Sequence, residues 1–188
     1  KKIARLDVNQ ILEKLLNTLF EFIPEMDAGW IGLLDDVAQL IKPTFIKSYT
    51  DDLRSILFRQ NSLPFKACES GEILDLDEVE FPLQYGISDE EANLYMKATH
   101  HQVPLSAIFA SIRINNQSIG VLVLEIFDFE KRFTPENKSI LLSFLQQSSY
   151  ALENANLIES LKNQSIQMER LSTLSKSITA NLNLLDLS

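Results

Sequence analysis

Residues 106–127, SAIFASIRINNQSIGVLVLEIF, hold two apolar runs of strand length on either side of a short polar break. Ile108, Ala110, Ile112 and Ile114 alternate along the first run, and Ile119, Val121, Val123 and Glu125 along the second. Neighbouring side chains therefore leave on opposite faces of a sheet. Asparagine tolerates a positive φ, which makes Asn115-Asn116-Gln117 a hairpin turn between strands Ser106–Ile114 and Ser118–Phe127.

Upstream, Ile11, Leu12, Leu15, Leu16, Leu19, Phe20 and Ile23 recur at three- and four-residue spacing, predicting a helix from Asp7 to Ile23 that Pro24 ends. Ala28 to Leu34, with Trp30, reads as a strand, Asp35-Asp36 as a turn, and Gln39 to Tyr49 as the returning strand of a hairpin. Pro43 confines that part of the second strand to an edge or a bulge. Short helices are expected at Asp51–Phe58 and at Pro64–Ser70, the latter stopped by Gly71, with a strand at Ile73–Leu76. Asp77–Glu80 and Pro82–Gly86 read as loop. Ser88, with Glu91 three residues on, starts a further helix through Thr99 with a capping box.

Downstream, Thr134-Pro135-Glu136 supplies a hydroxyl N-cap, a proline at the first helical position and an early acid. The helical run that follows reaches Ser188. From Leu157 its apolar residues settle into a seven-residue repeat: Leu161, Met168, Ser175 and Leu182 at one seam position, Leu157, Gln164, Leu171, Ile178 and Leu185 at the other. The first helix is too short to cover this added seam of about 45–50 Å at 1.5 Å per residue, which favours a partner chain. Gln164 and Ser175 would weaken the packing while restricting register. Lys1-Lys2 running directly into helical pattern, and an end inside the seam, suggest a piece of a longer protein.

Apart from that run, the ~130–150 remaining residues suit one domain. The order of elements gives an α+β fold with an antiparallel sheet, the terminal helices on one face and short helices and loops from Asp51 to Gln102 over the other. A face covered in this way is where a small-molecule pocket forms. A formal charge of −9 argues against nucleic acid and against an anionic membrane surface, which both call for clustered Lys and Arg. A single cysteine, Cys68, rules out an intrachain disulfide and a cysteine-based zinc site. With neither a membrane-length apolar run nor a signal segment, the expected location is the cytoplasm.

At this point several motifs resemble the GAF domain family. They are Val103-Pro104-Leu105 leading into Ala110-Ser111-Ile112, Ile119-Gly120-Val121-Leu122-Val123-Leu124, Phe133-Thr134-Pro135-Glu136-Asn137 and Ala151-Leu152-Glu153-Asn154-Ala155-Asn156-Leu157. Cys68-Glu69-Ser70-Gly71-Glu72-Ile73-Leu74 is similar to the family's middle signature, and the matching stretch spans residues 7–165. Arg170 to Ser188 resembles the linker and opening helix of a further domain in tandem GAF, kinase or cyclase proteins. The resemblance implies a six-stranded sheet with a ligand-binding or vestigial pocket. It also implies a non-catalytic sensory module of a signalling protein, such as a two-component system, often dimeric through its terminal helices. Residues 1–160 would form the sensory domain and 161–188 a coiled-coil output linker.

Trp30, Phe65, Cys68, Tyr85, Tyr95, Phe109 and Ser111 are expected to line the pocket, as aromatic, small or polar groups near that face. The sequence names no cofactor. His100-His101 diverge as adjacent side chains and read as loop residues rather than metal ligands. Met96-Lys97-Ala98-Thr99 stands where bilin-binding relatives carry an attaching cysteine, and one cysteine is too few for the family's methionine-sulfoxide-reducing branch. Asn61 and Phe65 do not reproduce the signature of cyclic-nucleotide binders. Lys66 and Glu69 give Cys68 no electropositive setting, so it reads as a small core residue. The acidic run Asp75, Asp77, Glu78, Glu80 lacks the spacing of a calcium loop and reads as a solvated surface. No nucleophile–base pattern accompanies these residues. The expectation is therefore a non-catalytic, homodimeric sensor of an unidentified small ligand, with a purely structural dimerisation module as the alternative.

Overall fold

The computed structural model describes the backbone of residues 2–185 and the side chains of residues 8–181. In chain order the elements are α1 (Lys2–Phe22), β1 (Ala28–Asp35), β2 (Leu40–Lys47), a 3-10 turn (Asp51–Ser55), β3 (Phe58–Arg59), α2 (Leu63–Ser70), β4 (Ile73–Leu76), α3 (Asp89–Ala98), β5 (Ser106–Ile114), β6 (Gln117–Ile126) and α4 (Pro135–Leu185). The strands form one sheet in the order β3-β2-β1-β6-β5-β4, and the pairs given a register are antiparallel.

The β5–β6 hairpin sits at the centre of this arrangement. Asn115 and Asn116 both take positive φ, 49° and 63°, so the turn needs only two residues, and Gln117 joins β6 opposite Ile114. On one face, Ile108, Leu122 and Leu124 pack with Leu12, Leu16 and Leu19 of α1 and with Leu141 and Leu152 of α4. The opposite face carries Trp30, Phe58 and Phe109, packed with Phe65 of α2, Tyr85 before α3, Tyr95 of α3 and Leu53 of the 3-10 turn.

Local signals account for most boundaries. Ser62 caps α2, accepting from the Phe65 N–H, and Gly71 ends the helix in the left-handed region at φ 72°. Ser88 and Glu91 form the expected capping box of α3. Pro43 is a bulge: the register jumps from Ile31–Phe45 to Gly32–Pro43, leaving Thr44 without a partner.

The helix expected at Asp51–Phe58 is instead a single 3-10 turn followed by an extended Ile56 and the two-residue strand β3. Leu53, Ile56 and Phe58 are all fully buried, and Phe58 pairs with Ile41 while its ring stacks on Trp30. Burial of these three chains on the sheet outweighs local helical preference.

In α4 the first turns pack on the sheet and on α1. Residues 161–181 are exposed throughout, beyond the reach of the domain's own core. The helix does not turn back near Asn163. The side chains of Leu182 and Leu185 lie outside the described residues.

Candidate functional site

Strand β6 sends Val121, Val123 and Glu125 toward the aromatic face. Glu125 is fully buried between Ala28 of β1 and Ala107 of β5, whose short side chains leave room for a carboxylate. Three tyrosines converge on it. Tyr49 follows β2, Tyr85 precedes α3 and Tyr95 lies on α3, and each donates its hydroxyl to the carboxylate, Tyr95 at 2.8 Å. A carboxylate offers about four acceptor positions, so three are occupied by oriented donors. Burial pushes the Glu125 carboxyl up, and it prevails over the three hydroxyls, which pull the other way. Burial, and then the Glu125 charge, push all three phenols well above their ordinary range. They stay protonated donors at neutral pH.

Aromatic packing fills the space around this node. Trp30 stacks on Phe58 at 4.9 Å between centroids, Phe81 approaches Tyr95 at 4.5 Å, and Tyr85 meets Phe109 edge-on at 5.6 Å. Trp30, Tyr85, Tyr95 and Phe109 are fully buried. The interior of this face is thus occupied by the chain's own side chains, with the Trp30 Nε1–H left without an acceptor.

A cleft of about 580 Å³ opens instead at the end of the sheet that carries the β1–β2 and β5–β6 turns, with α2 as one wall. Leu34, Phe65 and Ile119 give it an apolar floor, and Asp36, Glu69 and Arg113 give it charge of both signs. Arg113 donates to the Asn116 carbonyl, and its buried Nε has no partner. The guanidinium lies against Gly71, close to where a Cβ would be, and the positive φ of 72° favours glycine there.

The structure scatters the expected pocket residues over these two places. Trp30, Tyr85, Tyr95 and Phe109 belong to the sealed aromatic layer, whereas Phe65 and Cys68 also line the cleft. Ser111 donates to the Cys68 carbonyl and shares a hydrogen bond with Ser118 on the cleft wall. Cys68 is buried, and burial followed by the Asp36 and Glu69 charges pushes its thiol up to about 11, against the pull of Arg113. A thiol held neutral in this way is a poor nucleophile.

Glu125, Tyr49 and Arg113 escaped the sequence reading. Glu125 did leave a signal: an acid at an inward position of a strand apolar on both faces is rarely buried without partners. His100 and His101 are exposed in a left-handed turn after α3. Asp75 pairs with Lys138, and among the described residues no three His, Cys, Asp or Glu side chains gather as a metal site. No described helix is long and apolar enough to cross a membrane.

No family model and no curated protein matches the sequence. Solved structures do match its fold. The blue-light-absorbing form of the Thermosynechococcus elongatus PixJ GAF domain superposes with a TM-score of 0.66 at 13% identity, covering 87% of this chain and 95% of that one. The second GAF domain of DevS from Mycobacterium smegmatis gives 0.64 at 14%, covering 82% and 99%. Residues 122 to 287 of a methyl-accepting chemotaxis protein give 0.64 at 15%, covering 81% and 92%. With its six-stranded sheet, paired terminal helices and covered opposite face, this chain has the fold of a GAF domain.

Proposed function

We propose that the chain is a non-catalytic, cytoplasmic sensory unit of a signalling protein, dimeric through its terminal helices, that takes a small ligand and relays the outcome along α4. The similar structures include a methyl-accepting chemotaxis protein and the GAF domain of the cyanobacteriochrome receptor PixJ, which supports the class. The observation that carries the relay is the form of α4. It runs 51 residues in one helix, anchored at its start and bare beyond. On the bare part Leu157, Leu161, Met168, Leu171 and Ile178 are 59–74% exposed at heptad spacing, an apolar stripe that a second copy would cover.

The anchored part is tied to the sheet and to the turn between α1 and β1. Lys138 in the first turn pairs with Asp75 of β4, Asn137 donates to Glu25, and Glu153 accepts from the Asn115 N–H at the hairpin turn. A shift of the sheet's end would therefore reach α4 through fixed contacts and bias it between two arrangements.

Removing the chain from Leu157 onward tests this reading. The full chain is expected to sediment as a dimer and the shortened one as a monomer that keeps its folded circular-dichroism spectrum; an unchanged dimer would count against the seam. A second reading, a dimerisation module without ligand, is favoured by the filled aromatic face. Under it, no metabolite pool raises the melting temperature.

A further inference from the structure

The end cleft holds charges of opposite sign that do not neutralise one another. Arg113 keeps its buried Nε unpartnered, and no ion pair joins it to Asp36 or Glu69, although all three act on the Cys68 thiol at the cleft wall. Among the described residues Arg113 pairs with no acid. Its position is nevertheless fixed, by the Asn116 carbonyl on one side and by the bare Cα of Gly71 beneath. A planar guanidinium held in place with free N–H groups matches a carboxylate, which it can meet with two parallel bonds.

The other charges decide what kind of carboxylate. A ligand carrying only negative charge would face Asp36 and Glu69 on the rim, and one carrying only positive charge would face Arg113. A molecule with both an ammonium and a carboxylate satisfies each. We propose that this cleft binds a small zwitterion, a free amino acid or short peptide, with its carboxylate on Arg113, its ammonium on Asp36 and Glu69, and its side chain on Leu34, Phe65 and Ile119. The volume, about 580 Å³, lies within the range of small-molecule sites and holds a dipeptide as readily as a single amino acid.

The site has a short route to the long helix. Arg113 donates to Asn116 of the same hairpin turn whose Asn115 N–H donates to Glu153 of α4 at 3.1 Å. Ser118 on the cleft wall connects through Ser111 to the Cys68 carbonyl of α2. A ligand bound on Arg113 would load the turn and, through it, α4. This inference deepens the sensory reading and rests on it.

The twenty protein amino acids and diglycine are titrated calorimetrically into the full chain, with the dimer mass measured on the same samples. At least one is expected to bind; its carboxyl-amidated form and the Arg113→Gln variant should each lose affinity by about tenfold or more, as removal of a charge-assisted pair does. Asp36→Asn, on an exposed turn, should weaken the same ligand, and combining amidation with Arg113→Gln should add nothing further. If Arg113→Gln fails to fold, the acid–amide comparison on the unaltered chain makes the same distinction. Absence of binding by every probe, or a ligand indifferent to amidation and to Arg113→Gln, would overturn the assignment. A dimer that persists with no zwitterion bound would leave the relay standing and remove only the cleft; a monomeric chain that binds one would do the reverse.

Discussion

The two faces of the sheet are built by different physics. Toward α1 and α4 the core is mostly leucine and isoleucine, held by burial that has no preferred direction. Toward α2 and α3 it is aromatic and organised around one carboxylate with three oriented donors. The first kind of interface lets a helix shift by small steps against only a few directed bonds, those of Lys138, Asn137 and Glu153 in α4, while the second fixes its parts in one arrangement. In a relay the aliphatic face is therefore the place where α4 can move, and the Glu125 node is the frame it moves against.

Substitutions separate the two. Glu125→Leu removes the acceptor of two buried tyrosine hydroxyls and of the part-buried Tyr49 hydroxyl, and is expected to cost about 4 kcal/mol in urea unfolding, more than a core truncation of similar volume, because stranded polar groups are penalised in full. Leu124→Ala, one residue away but facing α1, should cost about 3 kcal/mol through lost burial and a residual cavity. A smaller effect at Glu125 than at Leu124 would mean that the aromatic face is held by packing alone.

Glu125→Gln sharpens the contrast through pH. Because the folded carboxyl is raised above its unfolded value, its contribution is fully present below the unfolded pKa and is lost as pH rises through the folded one. Relative to the Gln variant, the unaltered chain should lose about 1.4 kcal/mol for each unit separating the two values, starting near pH 4.3. The Leu124→Ala variant should keep the parent's pH profile.

The smallest effect lies at the surface. Burial pushes the Glu91 carboxyl up, but hydrogen bonds from Ser88, Arg59 and Leu57 outweigh it and leave it lowered. Its stabilisation is present above the unfolded pKa and disappears as pH falls through the folded one, opposite in sign to Glu125. Glu91→Gln should cost about 1 kcal/mol at neutral pH and nothing in acid, read from urea midpoints at the two pH values.

What the sequence disclosed follows from how local each signal is. The Ser106–Phe127 hairpin, the Gly71 stop and the Ser88–Glu91 box are decided within a few residues, and the structure has all three. Strand β3 was hidden, since two residues carry no pattern and exist as a strand only through pairing with Leu40 and Ile41. The site was half visible. Glu125 was read only as one step of a strand's alternation, and its partners come from three segments as far as 76 residues away in the chain, with no spacing to link them. Arg113 carries no motif in the sequence; only the fold brings it against Gly71, 42 positions earlier in the chain.

The central claim is that α4 leaves the domain and clasps the same helix of a second copy in parallel register. Cysteine cross-linking reads this directly, since the chain's own Cys68 is buried with its thiol pushed up to about 11. Leu171→Cys, on the seam, should close a disulfide between copies under mild oxidation, while Thr173→Cys, on the outer side of the repeat, should remain monomeric on a denaturing gel. Equal cross-linking at both positions, or none at Leu171→Cys, would contradict the account.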